Sequence, residues 1–186
     1  MVYFVPHSIE TAPERSGPGL RAAEQKLGFI PNMMAVLAES SAALDAYQAV
    51  QGAFATSSFT TAEQHFLALV ISVVNGCTYC VPVYSGLSAE AGIDQEVIDA
   101  VRDGGPINGE RLSVLRDFAV AVVEKRGRVK EAELDAFLAA GFTKAQVLEV
   151  IIAAAFKLIS NYTNHIADIP LDDLFQPLSW GGKQAA

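Results

Sequence analysis

The run Phe66-Leu67-Ala68-Leu69-Val70-Ile71-Ser72-Val73-Val74 restricts the fold more than any other stretch of the chain. It is so uniformly apolar and β-branched that periodicity alone does not separate a buried strand from a buried helix. Its flanks decide. Thr60-Thr61-Ala62-Glu63 has the S/T-x-x-E form of a capping box, which starts a helix immediately before the run. The span 61–75 is also too long for an ordinary strand. A helix that is apolar on every face has to be central or lie at a subunit interface, and the segment 144–160 reads the same way.

The remaining segments are helical in pattern and none alternates like a strand. An extended arm is expected over 1–18, rich in Pro, Ser and Glu after His7. Helices are predicted over 20–27, 33–39 and 42–54, then over 81–90, 95–102, 110–125 and 129–138, separated by Gly, Pro, Ser and Thr signals. The reading is an all-α single domain over 1–186, long enough to bury roughly 70% of its unfolded surface without a disulfide staple.

The formal charge of −8, with no basic run, argues against a nucleic-acid or anionic-membrane partner. The N-terminal residues lack the pattern of a signal peptide, and the longest apolar run is too short to span a bilayer. A cytoplasmic location is therefore expected. In that reducing compartment a Cys-x-x-Cys pair is more often catalytic or metal-binding than a permanent disulfide.

Both cysteines lie in Asn75-Gly76-Cys77-Thr78-Tyr79-Cys80, directly after the apolar run. With a helix over 81–90, Pro82 is tolerable only in its first turn, which places the thiols at a helix N-terminus. The partial positive charge there favours thiolate, the nucleophilic form, and the neighbouring cysteine can resolve a sulfenic acid or mixed disulfide. Two alternatives stay open on the residues alone: two buried reduced cysteines, or half of a zinc site. The second would have to draw its missing ligands from His7, His65 or His165, since there is no second Cys-x-x-Cys. No cofactor is expected.

If the chain reverses near 74–76, residues equidistant from the turn face each other. His65 then falls within about one turn of Tyr84, which itself lies four residues after Cys80 on the same helix face. Cys80, Tyr84 and His65 are thereby candidates for one chain of hydrogen-bonding groups. Glu63, whose first role is the cap, and Asn161 and His165, in the polar cluster expected after the 144–160 helix, are candidate pocket residues. Capping or an interface serves equally well for that cluster. Asp168, Asp172 and Asp173 read as solvent or capping residues, and Met33-Met34 as core filler.

The Asn-x-Cys-x-Tyr-Cys segment after a capped apolar helix resembles the core of the alkylhydroperoxidase AhpD and carboxymuconolactone decarboxylase superfamily. The flanks Pro6-His7-Ser8-Ile9-Glu10-Thr11-Ala12-Pro13-Glu14, Gly28-Phe29-Ile30-Pro31-Asn32 and Ser160-Asn161-Tyr162-Thr163-Asn164-His165-Ile166-Ala167 are similar to segments of an AhpD-like subgroup. The resemblance implies an all-helical bundle with the Cys-x-x-Cys in a central helical hairpin over 61–92. It also implies a homo-oligomer, commonly a trimer or a hexamer, and hydroperoxide reduction through a disulfide. Cys80 is then the attacking cysteine, Cys77 the resolving one, and a thiol reductant the electron donor.

Two departures from that pattern stand at 65 and 84, where the family's relay has a glutamate and a histidine and this chain has His65 and Tyr84. A His-Tyr pair either replaces the relay or marks its loss. Tyrosine is a poor base at neutral pH, with a reference pKa of about 10, so any base function falls to the histidine. Pro82 is a third departure. The leading expectation is a thiol peroxidase or disulfide oxidoreductase; the alternatives are a cysteine-independent lactone decarboxylase and a non-catalytic redox-sensing oligomer.

Overall fold

The computed structural model describes residues 3–182, which form nine α-helices and two short 3-10 turns, with no strand among the described residues. The helices are α1 (Gly17–Leu27), α2 (Asn32–Leu37), α3 (Ser41–Ala55), α4 (Thr61–Val74), α5 (Cys80–Glu90), α6 (Gln95–Asp103), α7 (Glu110–Glu124), α8 (Glu131–Ala139) and α9 (Lys144–Ala167). The all-α expectation holds. The first two residues of the expected arm, and 183–186 of the expected domain, lie outside the described residues.

The cap read from the sequence starts α4. The Thr60 hydroxyl accepts from the Glu63 N–H at 3.2 Å, and the Glu63 carboxylate accepts from the Thr60 N–H at 3.0 Å. With its first orphan donors satisfied, α4 enters the centre of the bundle, where Phe66, Leu67, Ala68, Leu69 and Ile71 are all fully buried. It packs against α3, α5, α6, α7 and α9, so every face has a neighbour. That surround, and not amphipathicity, is what allows so uniform a helix. Burial of each large side chain contributes on the order of 2 kcal/mol.

Several boundaries differ from the sequence reading, α2 for one ending at Leu37 and not at 39. The arm ends earlier, at a 3-10 turn over Glu14–Ser16, because Pro18 occupies the first turn of α1, where its missing N–H costs nothing. The helix expected over 129–138 starts instead at Glu131. The helix expected over 144–160 continues to Ala167 and ends at Asp168, whose φ is 48°. Polar side chains do not stop it because they bond back along the helix: Thr163 donates to the Ile159 carbonyl at 2.7 Å.

The two apolar helices resolve differently. α9 buries Val150, Ala153, Phe156, Lys157, Ser160 and Asn161 against α2, α3, α4 and α7, whereas Leu148, Ile151, Ala155, Leu158, Tyr162 and Ile166 on the other side are exposed. Although the longest unbroken apolar run is short, α9 is long and apolar enough to cross a membrane by length and composition, with a mean hydropathy of 1.3 over eighteen residues. Its inward face carries buried polar groups and packs in the bundle, as a core helix does.

After α9 the chain returns over α5 as a 3-10 turn, Asp173–Leu178. Gly86 makes room for it: a Cβ there would stand 3.1 Å from Leu178 Cδ1 and 3.5 Å from Phe175 Cε1. Arg102 of α6 fastens the segment, donating to the carbonyls of Leu178 and Ser179, each at 3.1 Å, and to the Ser85 hydroxyl at 2.9 Å.

Candidate active site

The α4–α5 connection is a tight reversal. Asn75 closes α4, Gly76 takes φ 69°, a left-handed conformation that suits glycine, and the Cys77 N–H donates to the Ser72 carbonyl at 2.9 Å. Cys77 therefore sits just before α5 and Cys80 is the first residue of that helix. The Cys80 N–H donates to Cys77 Sγ at 3.2 Å, so the first sulfur serves as a cap for the helix that begins with the second. Pro82 falls in the first turn, where no N–H is missed. Both thiols are free; Cys77 is 0% exposed and Cys80 2%.

Cys80 is the sulfur with an outlet. It lines a cavity of about 380 Å³, whereas Cys77 does not. The cavity walls come from distant parts of the chain: Phe29 and Met33 from the α1–α2 region, Tyr47 from α3, Val83 and Leu87 from α5, and Phe175 from the returning tail. Its surface is mostly aromatic and aliphatic. At the Cys80 end it also carries Tyr79, Tyr84, Lys157 and Ser160.

The electrostatics single out the same sulfur. Burial opposes ionisation of Cys80, yet the Cys77 thiol donating to it, the charge of Lys157, and smaller contributions from Ser160 and Asn161 outweigh burial and lower its pKa to about 5. Asn161 Nδ2 has no fixed acceptor, so its contribution is a donor held near the sulfur, not a formed bond. Cys77 moves the opposite way: its proton is held by the bond to Cys80, and burial adds to the effect. One sulfur is thus prepared as a thiolate and the other as a thiol.

Lys157 is 0% exposed, and its ammonium has no hydrogen-bond partner. It rests 4.1 Å above the centroid of the Tyr84 ring. Burial, reinforced by neighbouring negative groups, raises the pKa values of Tyr47 and Tyr84. Burial followed by the bond to Asp172 does the same for Tyr79. Tyr79 donates to Asp172 Oδ2 at 2.5 Å, while Asp172 Oδ1 accepts from the Asn32 N–H at 2.9 Å, which ties the cysteine turn to α2 and to the tail. Asp172 is therefore a buried bridge and not the solvent residue its sequence context suggests.

The sequence-predicted residues distribute as follows. Cys80 and Tyr84 line the inner end of the cavity, and Cys77 lies directly behind Cys80. His65 faces Tyr84 with ring centroids 6.3 Å apart, but its Nδ1–H donates to the Leu87 carbonyl at 3.0 Å, and His65 does not line the cavity. Glu63 is occupied by the cap and by Arg111, at 2.7 Å. Asn161 is fully buried and accepts from the Asn75 amide at 2.9 Å, behind the cysteine turn. His165 lies on the exposed side of α9, stacked on Tyr162.

Sequence reasoning missed Lys157, Tyr79 and Asp172. Lys157 left a signal, as the lone charge in an otherwise apolar stretch over 150–159. Tyr79 stands in the Asn-x-Cys-x-Tyr-Cys segment, but nothing there marks its bond to Asp172, and Asp172 left no signal.

Residues 38–109, which span the α4–α5 hairpin and its thiols, match the carboxymuconolactone decarboxylase family. An AhpD-core, uncharacterized peroxidase-related protein from Ralstonia eutropha JMP134 superposes with a TM-score of 0.81 at 23% identity, covering 92% of this chain and 93% of that one. A peroxidase-related protein from Silicibacter sp. TM1040 gives 0.75 at 19% identity over 88% of each chain. The debrominase Bmp8 gives 0.77 at 18% identity over 96% of each, both unliganded and as a cysteine-to-alanine variant with 2,3,4-tribromopyrrole. At these identities the structures share the AhpD-like fold with this chain. No curated protein matches the sequence significantly.

Proposed function

We propose that the protein is a thiol-dependent peroxidase that reduces organic hydroperoxides through a Cys77–Cys80 dithiol and disulfide cycle. The observation that carries this reading is the asymmetry of the pair: Cys80 opens on a cavity and is biased toward thiolate, while Cys77 lies behind it and keeps its proton. The Cys80 thiolate attacks the distal peroxide oxygen, the O–O bond breaks, and the alkoxide leaves as an alcohol after taking a proton, giving Cys80 sulfenic acid. The Cys77 thiol then displaces hydroxide, released as water, to close the disulfide. A dithiol reductant restores both thiols and is itself oxidised.

In this reading Tyr84 walls the reaction site, and His65 braces the hairpin through Leu87. The apolar cavity suits a carbon-bearing hydroperoxide. A cytoplasmic location fits two free thiols, and the exposed apolar stripe of α9 supports a homo-oligomer.

The test is peroxide consumption with a small dithiol as reductant. Cys80→Ser is expected to abolish turnover, and unchanged turnover overturns the assignment. Lactone decarboxylation that survives loss of both cysteines would assign the family's other chemistry. Reversible thiol oxidation without turnover would make the protein a sensor.

A further inference from the structure

Lys157 is the one fully buried lysine among the described residues, and no carboxylate of those residues lies within ion-pair distance of its ammonium. Burying a cation without a partner costs several kcal/mol, so such a group persists where an anion arrives to meet it. The groups around it narrow the choice. Tyr47 of α3 and Tyr84 of α5 are held as neutral phenols. Asp172 of the tail is engaged by Tyr79 and the Asn32 N–H. Lys26 and Glu90 also border the cavity. Cys77 keeps its proton. Glu90 is exposed, so the remaining buried acid is Cys80, which opens on the same cavity and whose ionisation the charge of Lys157 favours.

We infer that Lys157 is the counter-ion of the Cys80 thiolate and the proton donor to the departing alkoxide, taking the place that a side-chain relay through positions 65 and 84 would fill. The inference rests on the thiol-peroxidase reading above.

The proton balance closes without another base. Before reaction the pair stands as Cys80 thiolate and Lys157 ammonium. Attack of the thiolate on R–O–OH forms the S–O bond and breaks the O–O bond; Lys157 gives its proton to R–O⁻, leaving R–OH, Cys80–SOH and the neutral amine. Cys77–SH then forms the disulfide and water. The dithiol reductant returns Cys77–SH and Cys80–SH, and the Cys80 proton passes to Lys157, which resets the pair. His65, whose ring proton is committed to the Leu87 carbonyl, has no part in the sequence.

The test is the pH dependence of Cys80 alkylation by iodoacetamide, followed by mass spectrometry of the Cys80 peptide, in the wild type, Lys157→Met and Lys157→Arg. The midpoint is the informative quantity, because a less acidic thiolate is intrinsically more nucleophilic and a rate at one pH partly cancels. Lys157→Met is expected to raise the midpoint by about 1–3 pH units, the usual effect of an opposite charge at close range. Lys157→Arg should keep it within about half a unit of the wild type, a rescue that a packing role would not produce. An unmoved midpoint in Lys157→Met overturns the inference. Lys157→Gln, which retains a polar tip, carries the same comparison if the methionine variant does not fold.

Peroxide turnover by the wild type separates the two claims. Turnover with an unmoved midpoint in the variant refutes the role of Lys157 and leaves the peroxidase standing. A wild type without turnover refutes the peroxidase and the alkoxide step, whatever the midpoint does.

Discussion

His65 and Tyr84 face each other across the α4–α5 hairpin with ring centroids 6.3 Å apart, yet no hydrogen bond joins them. The histidine gives its Nδ1–H to the Leu87 carbonyl, one turn further along α5. His65→Gln is expected to leave kcat/KM within about threefold and to lower stability by about 1 kcal/mol, the size of one partly buried hydrogen bond. Steady-state kinetics and denaturant unfolding check both. A hundredfold loss of kcat/KM with stability intact would restore the histidine to a proton relay.

Removal of Cys77 should have two separable effects. The Cys77 thiol is the largest of the influences that favour the Cys80 thiolate, so Cys77→Ala is expected to raise the midpoint of Cys80 alkylation from about 5. The sign follows from the charge: the wild-type thiolate persists above that pH and is lost as pH falls through it, whereas the variant loses it at a higher pH. The variant should also accumulate Cys80 sulfenic acid after a single turnover, detected by trapping with a 1,3-diketone. Prompt return to the thiol under peroxide and dithiol would assign the resolving step elsewhere.

The tail that walls the cavity hangs on Arg102, through two backbone carbonyls and the Ser85 hydroxyl. Arg102→Ala is expected to weaken its attachment by about 2 kcal/mol, less than three charged hydrogen bonds would suggest because the side chain is partly exposed. Faster amide exchange confined to 172–180, together with a raised KM for bulky hydroperoxides, is the expected signature. Gly86→Leu should act on the same segment by steric displacement, since even a Cβ meets Leu178 at 3.1 Å.

Along α9 the exposed Leu148, Ile151, Ala155, Leu158 and Tyr162 recur at steps of three and four, the spacing of a helix seam. If the protein self-associates through this face, Leu158→Glu should lower the mass seen in sedimentation while leaving the far-ultraviolet spectrum unchanged. An unaltered assembly would move the interface to another surface.

How far the sequence reached can be followed residue by residue. The capping box at Thr60 and Glu63, the proline of α5's first turn and the glycine of the reversal are local devices, with causes and effects a few residues apart, so they were legible. The facing of His65 and Tyr84 followed from hairpin geometry, but not where the histidine's proton goes: the competing acceptor is a backbone carbonyl, which carries no signature in side-chain sequence.

The sequence by itself determined a helical chain with two strongly apolar helices and a thiol pair at the start of a helix, because spacing and capping are written into neighbouring residues. Tertiary structure alone decided which sulfur meets the cavity, that Asp172 joins Tyr79 to Asn32, and that Lys157 stands near Cys80 in place of any carboxylate. Those facts depend on residues far apart in the chain, from Tyr47 and Cys80 to Asn32 and Asp172, being brought into a low-dielectric interior, where one unpaired charge outweighs any local preference.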